Sequence, residues 1–155
     1  MTKEEFSAML KNALENTLKT SRVIEFRGKQ KNSKEWCYGF YTPMIFVEDY
    51  EVLPCIVVLH AEGMYFEPVI PETIGQYTGL LDKNGKKIFE GDIVDMHRKG
   101  CSFKPIECVE YWKGGFNPVS VAGWECTPEP NEIEVIGNIH DNPELLKGGA
   151  DNDSI

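Results

Sequence analysis

The stretch Tyr77–Val94, YTGLLDKNGKKIFEGDIV, decides how the chain is read. Its Asn84-Gly85 pair sits between two apolar segments, and both residue types accept the positive φ that a two-residue hairpin turn demands. Thr78 and Leu80 on one arm are expected to face Lys87 and Ile88 on the other. Gly91 permits a sharp bend, after which Gly91-Asp92-Ile93-Val94 resumes as a strand. Asn84, Gly85, Gly91 and Asp92 are therefore expected to be structural turn and corner residues, with Asp82 beside them.

Two ligand-binding readings of the same stretch fail on spacing. A phosphate loop needs four residues between its glycines, then Lys and a hydroxyl residue that reaches the metal. Here five residues separate Gly79 from Gly85, and Lys87 stands where the hydroxyl belongs. In a calcium loop started at Asp82, Gly85 arrives two residues early and Ile93 takes the place of the bidentate Glu.

Alternation continues on both sides. Arg22–Lys29 reads as a strand, Gln30–Lys34 as a turn, and Glu35–Tyr41 as the partner strand of a first hairpin. Met44–Asp49 and Cys55–Ala61 are short apolar runs, and Gly63–Val69 is expected to pair with the second. Pro105–Trp112 and Asn131–His140 are the later strands, with a turn at Gly114-Gly115. Asp141-Asn142-Pro143-Glu144 has the chemistry of a helix start and predicts a short helix through Leu146. Residues 147–155 read as a disordered tail.

The first twenty residues change period. Phe6, Met9, Leu10, Ala13, Leu14 and Leu18 form one stripe at helical spacing, and Thr2 with Glu5 has the spacing of a capping box. This predicts an amphipathic helix over 1–20. Its stripe needs cover, from the sheet of its own chain or from the helix of a neighbour.

The chain has 155 residues, 25 acidic and 16 basic, for a net charge of −9. That field disfavours default binding to nucleic acid, without excluding a local basic patch. An acidic surface can also imitate nucleic acid toward a basic partner, although solubility is the simpler reading. The charged start is not a secretory signal, and five cysteines are an odd number. Reduced thiols and a cytoplasmic setting are expected. No apolar run approaches the roughly 20 residues that span a bilayer.

Catalytic chemistry has little to rest on. His97, Cys101, Cys108 and Cys126 could meet as metal ligands, but no short Cys-x-x-Cys or His-x-x-x-His pair pre-organises two of them. No Gly-x-Ser-x-Gly elbow is present. Glu90 with Asp92, and Glu132 with Glu134, each lie on one strand face and read as solvated carboxylates. No catalytic residue, cofactor or metal is expected, and the protein is read as a non-enzyme. One candidate interaction surface remains. Arg22, Arg27, Lys29, Lys31 and Lys34 cluster at the first hairpin, interleaved with Phe26, Trp36, Tyr38 and Tyr41. Basic groups and aromatics on one sheet face can follow single-stranded DNA or RNA by charge and stacking. The structural alternative is that the aromatics form core while the lysines dress the turn.

Three blocks carry a resemblance: EFRGKQKNSKEWCYGFY, then VIPETIGQYTGLLDKNGKKIFEGDIV, then EIEVIGNIHDNPELL. In this order and spacing, from about Arg22 to Leu146, they resemble the YopX family of small phage and prophage proteins. The first twenty residues and the loop 114–130 lie outside the resembling blocks. The resemblance implies a mixed β fold ending in an SH3-like small barrel, with Gly91–Val94 as its opening strand. It implies a phage gene product in the host cytoplasm, and no activity or cofactor.

Together these readings predict a mainly β protein, α+β overall. It has the helical appendage 1–20 and a domain 21–146, divided into a β-hairpin region 21–70 and a barrel 74–140. The expected function is binding to a macromolecule, either a protein partner or a second copy through the N-terminal helix. Nucleic acid bound through the 22–41 hairpin is the alternative.

Overall fold

Alternating apolar residues become strands in the computed structural model, which describes residues 2, 4–6, 8, 9, 12, 23–46, 52–96, 106–119 and 129–149. In chain order the strands are β1 (Phe26–Lys29), β2 (Trp36–Phe46), β3 (Val52–His60), β4 (Gly63–Pro68), β5 (Gly75–Leu81) and β6 (Lys87–Phe89). There follow β7 (Asp92–Met96), β8 (Ile106–Cys108), β9 (Glu110–Trp112), β10 (Gly115–Asn117) and β11 (Ile133–Asn138).

Three antiparallel sheets result. The largest has the order β4-β3-β2-β1-β5-β6, a second has β11-β7-β8, and a third pairs β10 with β9. Both expected hairpins of the first half form, β1 on β2 and β3 on β4. The expected barrel over 74–140 does not close among the described residues. None of the described sheets closes, because β1 pairs with β5 and draws the Tyr77–Phe89 hairpin into the first sheet. Strand β7 is left to build a separate sheet with β8 and β11.

The decisive hairpin also needs correction in register. Tyr77 pairs with Phe89 and Leu81 with Lys87, with a register shift between them. Gly79 sits inside that shift at φ +88, so the strand bulges there. Thr78 keeps its link to the opposite arm through its own hydroxyl, which donates to Ile88 O at 2.8 Å.

Two apolar clusters hold the sheets. Cys37, Ile56 and Val69 are buried with Phe26, Val58 and Ile74 on one face of the large sheet. Ile88, Val94, Val109, Phe116, Val119, Ile133 and Val135 form the other cluster. Each fully buried Val or Ile stabilises by about 1.5–3 kcal/mol against leaving it exposed, so these clusters dominate the packing.

At the N-terminus, residues 4–6, 8, 9 and 12 are helical. The expected capping box is present: Thr2 N–H donates to Glu5 Oε2 at 2.7 Å, and Glu5 N–H to Thr2 Oγ1 at 3.2 Å. The rest of the helix predicted to residue 20, and tail residues 150–155, lie outside the described residues. The helix expected after Asn142 is a 3-10 helix over Pro143–Gly149. No helix of the described residues is long and apolar enough to cross a membrane.

Candidate functional site: one face of the large sheet

Strand alternation puts Arg27, Lys29, Trp36, Tyr38 and Phe40 on one face. Arg27 lies opposite Tyr38, and Lys29 opposite Trp36. The same face continues across β3 and β4, because Phe40 pairs with Val57, Val57 with Phe66, and Leu59 with Met64. The face has two halves of different chemistry.

The first half is a closed clamp. Arg27 is buried, and its Nη1 lies 2.7 Å from Asp92 Oδ1. Its Nη2 donates to the Glu90 carbonyl at 3.2 Å, while Asp92 Oδ2 accepts from Phe89 N–H at 2.8 Å. The guanidinium sits 4.6 Å from the Trp36 ring centre and 5.1 Å from that of Phe89. Among the described residues Arg27 Nε has no hydrogen-bond partner. Burial pushes the Asp92 carboxyl above its ordinary range, against the opposing pull of Arg27 and the Phe89 N–H.

The clamp is positioned by the corner at Gly91, whose φ of +84 favours glycine. From that corner Gly91 N–H donates to Val109 O, and Ile139 N–H donates to Gly91 O, both at 2.8 Å. The corner thus ties the large sheet to the C-terminal strands. A second contact flanks it. Asp141 accepts from Trp36 Nε1 and from Asn138 Nδ2, each at 2.8 Å, and pairs with Lys29. The Lys29 and Asn138 hydrogen bonds hold the Asp141 carboxyl well below the usual carboxylate range. His140 packs against Trp36, and burial with the Arg27 and Lys29 charges holds its imidazole below its ordinary value.

The second half is open and apolar. Phe40 is 55% exposed, Leu59 57%, Met64 57% and Phe66 44%, with Tyr38 bordering the clamp. Sequence reading missed this patch, although Gly63–Val69 carried a signal. Met64, Tyr65 and Phe66 are apolar at both parities, and a strand with only one buried side must expose some of them.

The sequence-predicted residues therefore divide. Arg27, Lys29, Trp36 and Tyr38 do share a face, but Arg27 is buried and Lys29 is ion-paired. Lys31 and Lys34 lie on the exposed turn, and Lys34 Nζ donates to Lys31 O at 2.8 Å. Arg22 lies outside the described residues, as do His97, Cys101 and Cys126 of the weighed metal set. Asn84 and Gly85 form the expected turn: Asp82 Oδ1 accepts from Asn84 and Lys86 N–H at 2.8 and 2.9 Å. Asp82 Oδ2 reaches across to Val135 N–H at 3.0 Å. Burial alone would raise the Asp82 carboxyl, but these three backbone donors hold it below its ordinary value. Asp92 is a corner residue and also the buried partner of Arg27.

Among the described residues no group of three His, Cys, Asp or Glu side chains is placed to hold a metal ion. Burial pushes the Cys37 and Cys108 thiols up to about 11, which keeps them protonated and poorly nucleophilic near neutral pH.

The sequence pattern of the family described as YopX protein matches residues 25–147. The chain belongs to the YopX family. The match takes in every residue of the clamp and of the apolar patch, and leaves the capping box of the N-terminal helix outside. No curated protein matches the chain. Among solved structures it is similar to the crystal structure of protein EF1440 from Enterococcus faecalis, at 27% identity and a TM-score of 0.46. That similarity covers 81% of this chain and 99% of the other.

Proposed function

We propose that this YopX-family member is a non-enzymatic binding protein whose recognition surface is the open apolar half of the large sheet. One observation carries the reading: Phe40, Leu59, Met64 and Phe66 lie together and exposed on a chain whose net charge is −9. A contiguous apolar patch on a strongly charged protein marks an association site, because leaving it in water forfeits about 25 cal/mol for each Å² exposed. The clamp fits the same purpose by fixing the covered half of the face. Tyr38 and Phe40 then present a preset surface, which spares ordering entropy on binding.

A protein partner suits this surface better than nucleic acid does. Of the basic residues that motivated the nucleic-acid reading, Arg27 and Lys29 are engaged by Asp92 and Asp141. The open patch carries no basic residue with which to meet phosphates. The setting we assign, a phage or prophage protein at work in the host cytoplasm, is supported by family membership. The buried, protonated thiols Cys37 and Cys55 are in keeping with it.

Capture of other proteins by the tagged full chain from a bacterial lysate tests this function. A protein retained by wild type and by Tyr111→Ser, but lost by the Phe40→Ser/Leu59→Ser variant, supports the reading. Capture that survives in the double variant overturns it, as does no capture at all.

A further inference from the structure

We propose that a second copy of this chain joins through the free edge of β4 and so doubles the apolar face. This inference rests on the binding surface just described and adds a pairing edge and a register beside it.

Strand β4 ends the six-stranded order, so one of its edges has no strand beside it among the described residues. Only its last residues turn elsewhere, where Val69 bridges to Gln30 and Pro68 O accepts from Lys31 N–H at 2.8 Å. Gly63–Glu67 remain. Natural edge strands are usually blunted by lysine, by a bulge, by proline or by cover. This one has no lysine, and its register against β3 runs unbroken from His60↔Gly63 to Cys55↔Pro68. Met64, Tyr65 and Phe66 are all exposed.

The direction of the backbone groups follows from alternation. Val69 N–H donates inward to Pro54 O at 3.0 Å, whereas the Pro68 carbonyl turns outward. Stepping back by two from Pro68 puts the N–H and C=O of Phe66 and Met64 on the free edge. Proline is tolerated on an edge strand where its missing N–H faces outward, and Pro68 has that placement.

Charge selects the same segment. Two copies at −9 repel one another, so they approach most easily where charge is least. Across β3 and β4, VLPCIVVLH and GMYFEP, Glu67 is the sole carboxylate and there is no lysine or arginine.

A two-fold axis perpendicular to the sheet pairs the two edges antiparallel and keeps the apolar faces of both copies on the same side. The register centred on Tyr65 uses all five free residues. Met64 of each copy exchanges both backbone hydrogen bonds with Phe66 of the other, and the two Tyr65 side chains meet at the axis. Glu67 falls opposite Gly63, so the two carboxylates are kept apart. The open faces then join into one apolar surface running from Phe40 through both β4 strands to the second Phe40.

Sedimentation equilibrium of the full chain tests this over a concentration series, with circular dichroism to check folding. The wild type and Tyr111→Lys are expected to reach twice the mass of one chain. Tyr65→Lys, which sets two cations on the axis, is expected to stay at the single mass with an unchanged spectrum. Met64→Pro removes only an outward N–H and is expected to behave likewise. A wild type that stays monomeric at every soluble concentration overturns the pairing. A dimer that persists in both variants, or that is lost only when residues 1–20 are deleted, overturns it equally. Loss of the self-pairing alone leaves the apolar face to be judged by capture with Phe40→Ser/Leu59→Ser, so the two failures are distinguishable.

Discussion

Arg27 and Asp92 lie 65 positions apart in the sequence and meet at 2.7 Å, both nearly excluded from solvent. Their pair joins β1 of the first hairpin to the start of β7, and so fastens the large sheet to the C-terminal one. A buried ion pair contributes little net stability beside well-packed apolar residues, but breaking one side of it is costly.

Arg27→Met is therefore expected to lower the stability at neutral pH by about 3–5 kcal/mol, read from urea unfolding. The loss is also expected to grow with pH. Without the guanidinium, burial alone holds the folded Asp92 carboxyl above its unfolded value of about 3.9. A raised folded pKa gives stability that is present below the unfolded value and is lost as pH rises through the folded one. A deficit that is equal at pH 4 and pH 7 would refute the assignment.

Asp141 has the opposite sign. Its Lys29, Asn138 and Trp36 partners hold the folded carboxyl well below its ordinary value. Its contribution is present above the unfolded carboxylate range and fades as pH falls through the folded value. Asp141→Asn is expected to flatten the acid limb of the stability curve below about pH 4, and to leave its slope above pH 6 unchanged. An acid limb identical to that of the wild type would count against the role given to Asp141.

His140 reports on the same corner. Burial and the charges of Arg27 and Lys29 disfavour its protonation, so its NMR titration midpoint is expected below 6.5. Lys29→Ala is expected to move that midpoint upward by removing one of the two cations. A midpoint that is unmoved, or that falls, would contradict the electrostatic account.

Asp82 is expected to matter more to stability than its turn position suggests. Asp82→Ala strands the N–H groups of Asn84, Lys86 and Val135, at a cost of about 2–3 kcal/mol in thermal or urea unfolding. Gly85→Ala has open space for its methyl group but keeps a φ of +79, at a cost of about 1–2 kcal/mol. A smaller loss for Asp82→Ala than for Gly85→Ala would reverse this ranking.

Much of the local structure was legible in the residues. The β1–β2 and β3–β4 hairpins, the Asn84-Gly85 turn, the Gly91 bend and the Thr2–Glu5 capping box each depend on near neighbours. Long-range pairing was not legible. Nothing adjacent to Arg27 announces Asp92, and an arginine in an alternating strand reads as surface. The pairing of β5 with β1, found where a barrel was expected, was hidden for a related reason, since the two strands are far apart in the sequence. The bulge at Gly79 moved a register that alternation alone could not place. On the face of the large sheet Arg27, Lys29, Trp36 and Tyr38 could be placed together from the residues, whereas the contacts that Asp92 and Asp141 make with them could not. The apolar half was hinted at only by the double parity of Met64, Tyr65 and Phe66.

The most direct test is amide hydrogen exchange of the full chain, compared between the dilute free protein and the complex isolated by capture. Binding through the open apolar face predicts slowed exchange in Val52–His60 and Gly63–Pro68, with the Gln30–Glu35 turn unchanged. Slowing confined to the Gln30–Glu35 turn, with β3 and β4 exchanging as in the free protein, would contradict the account.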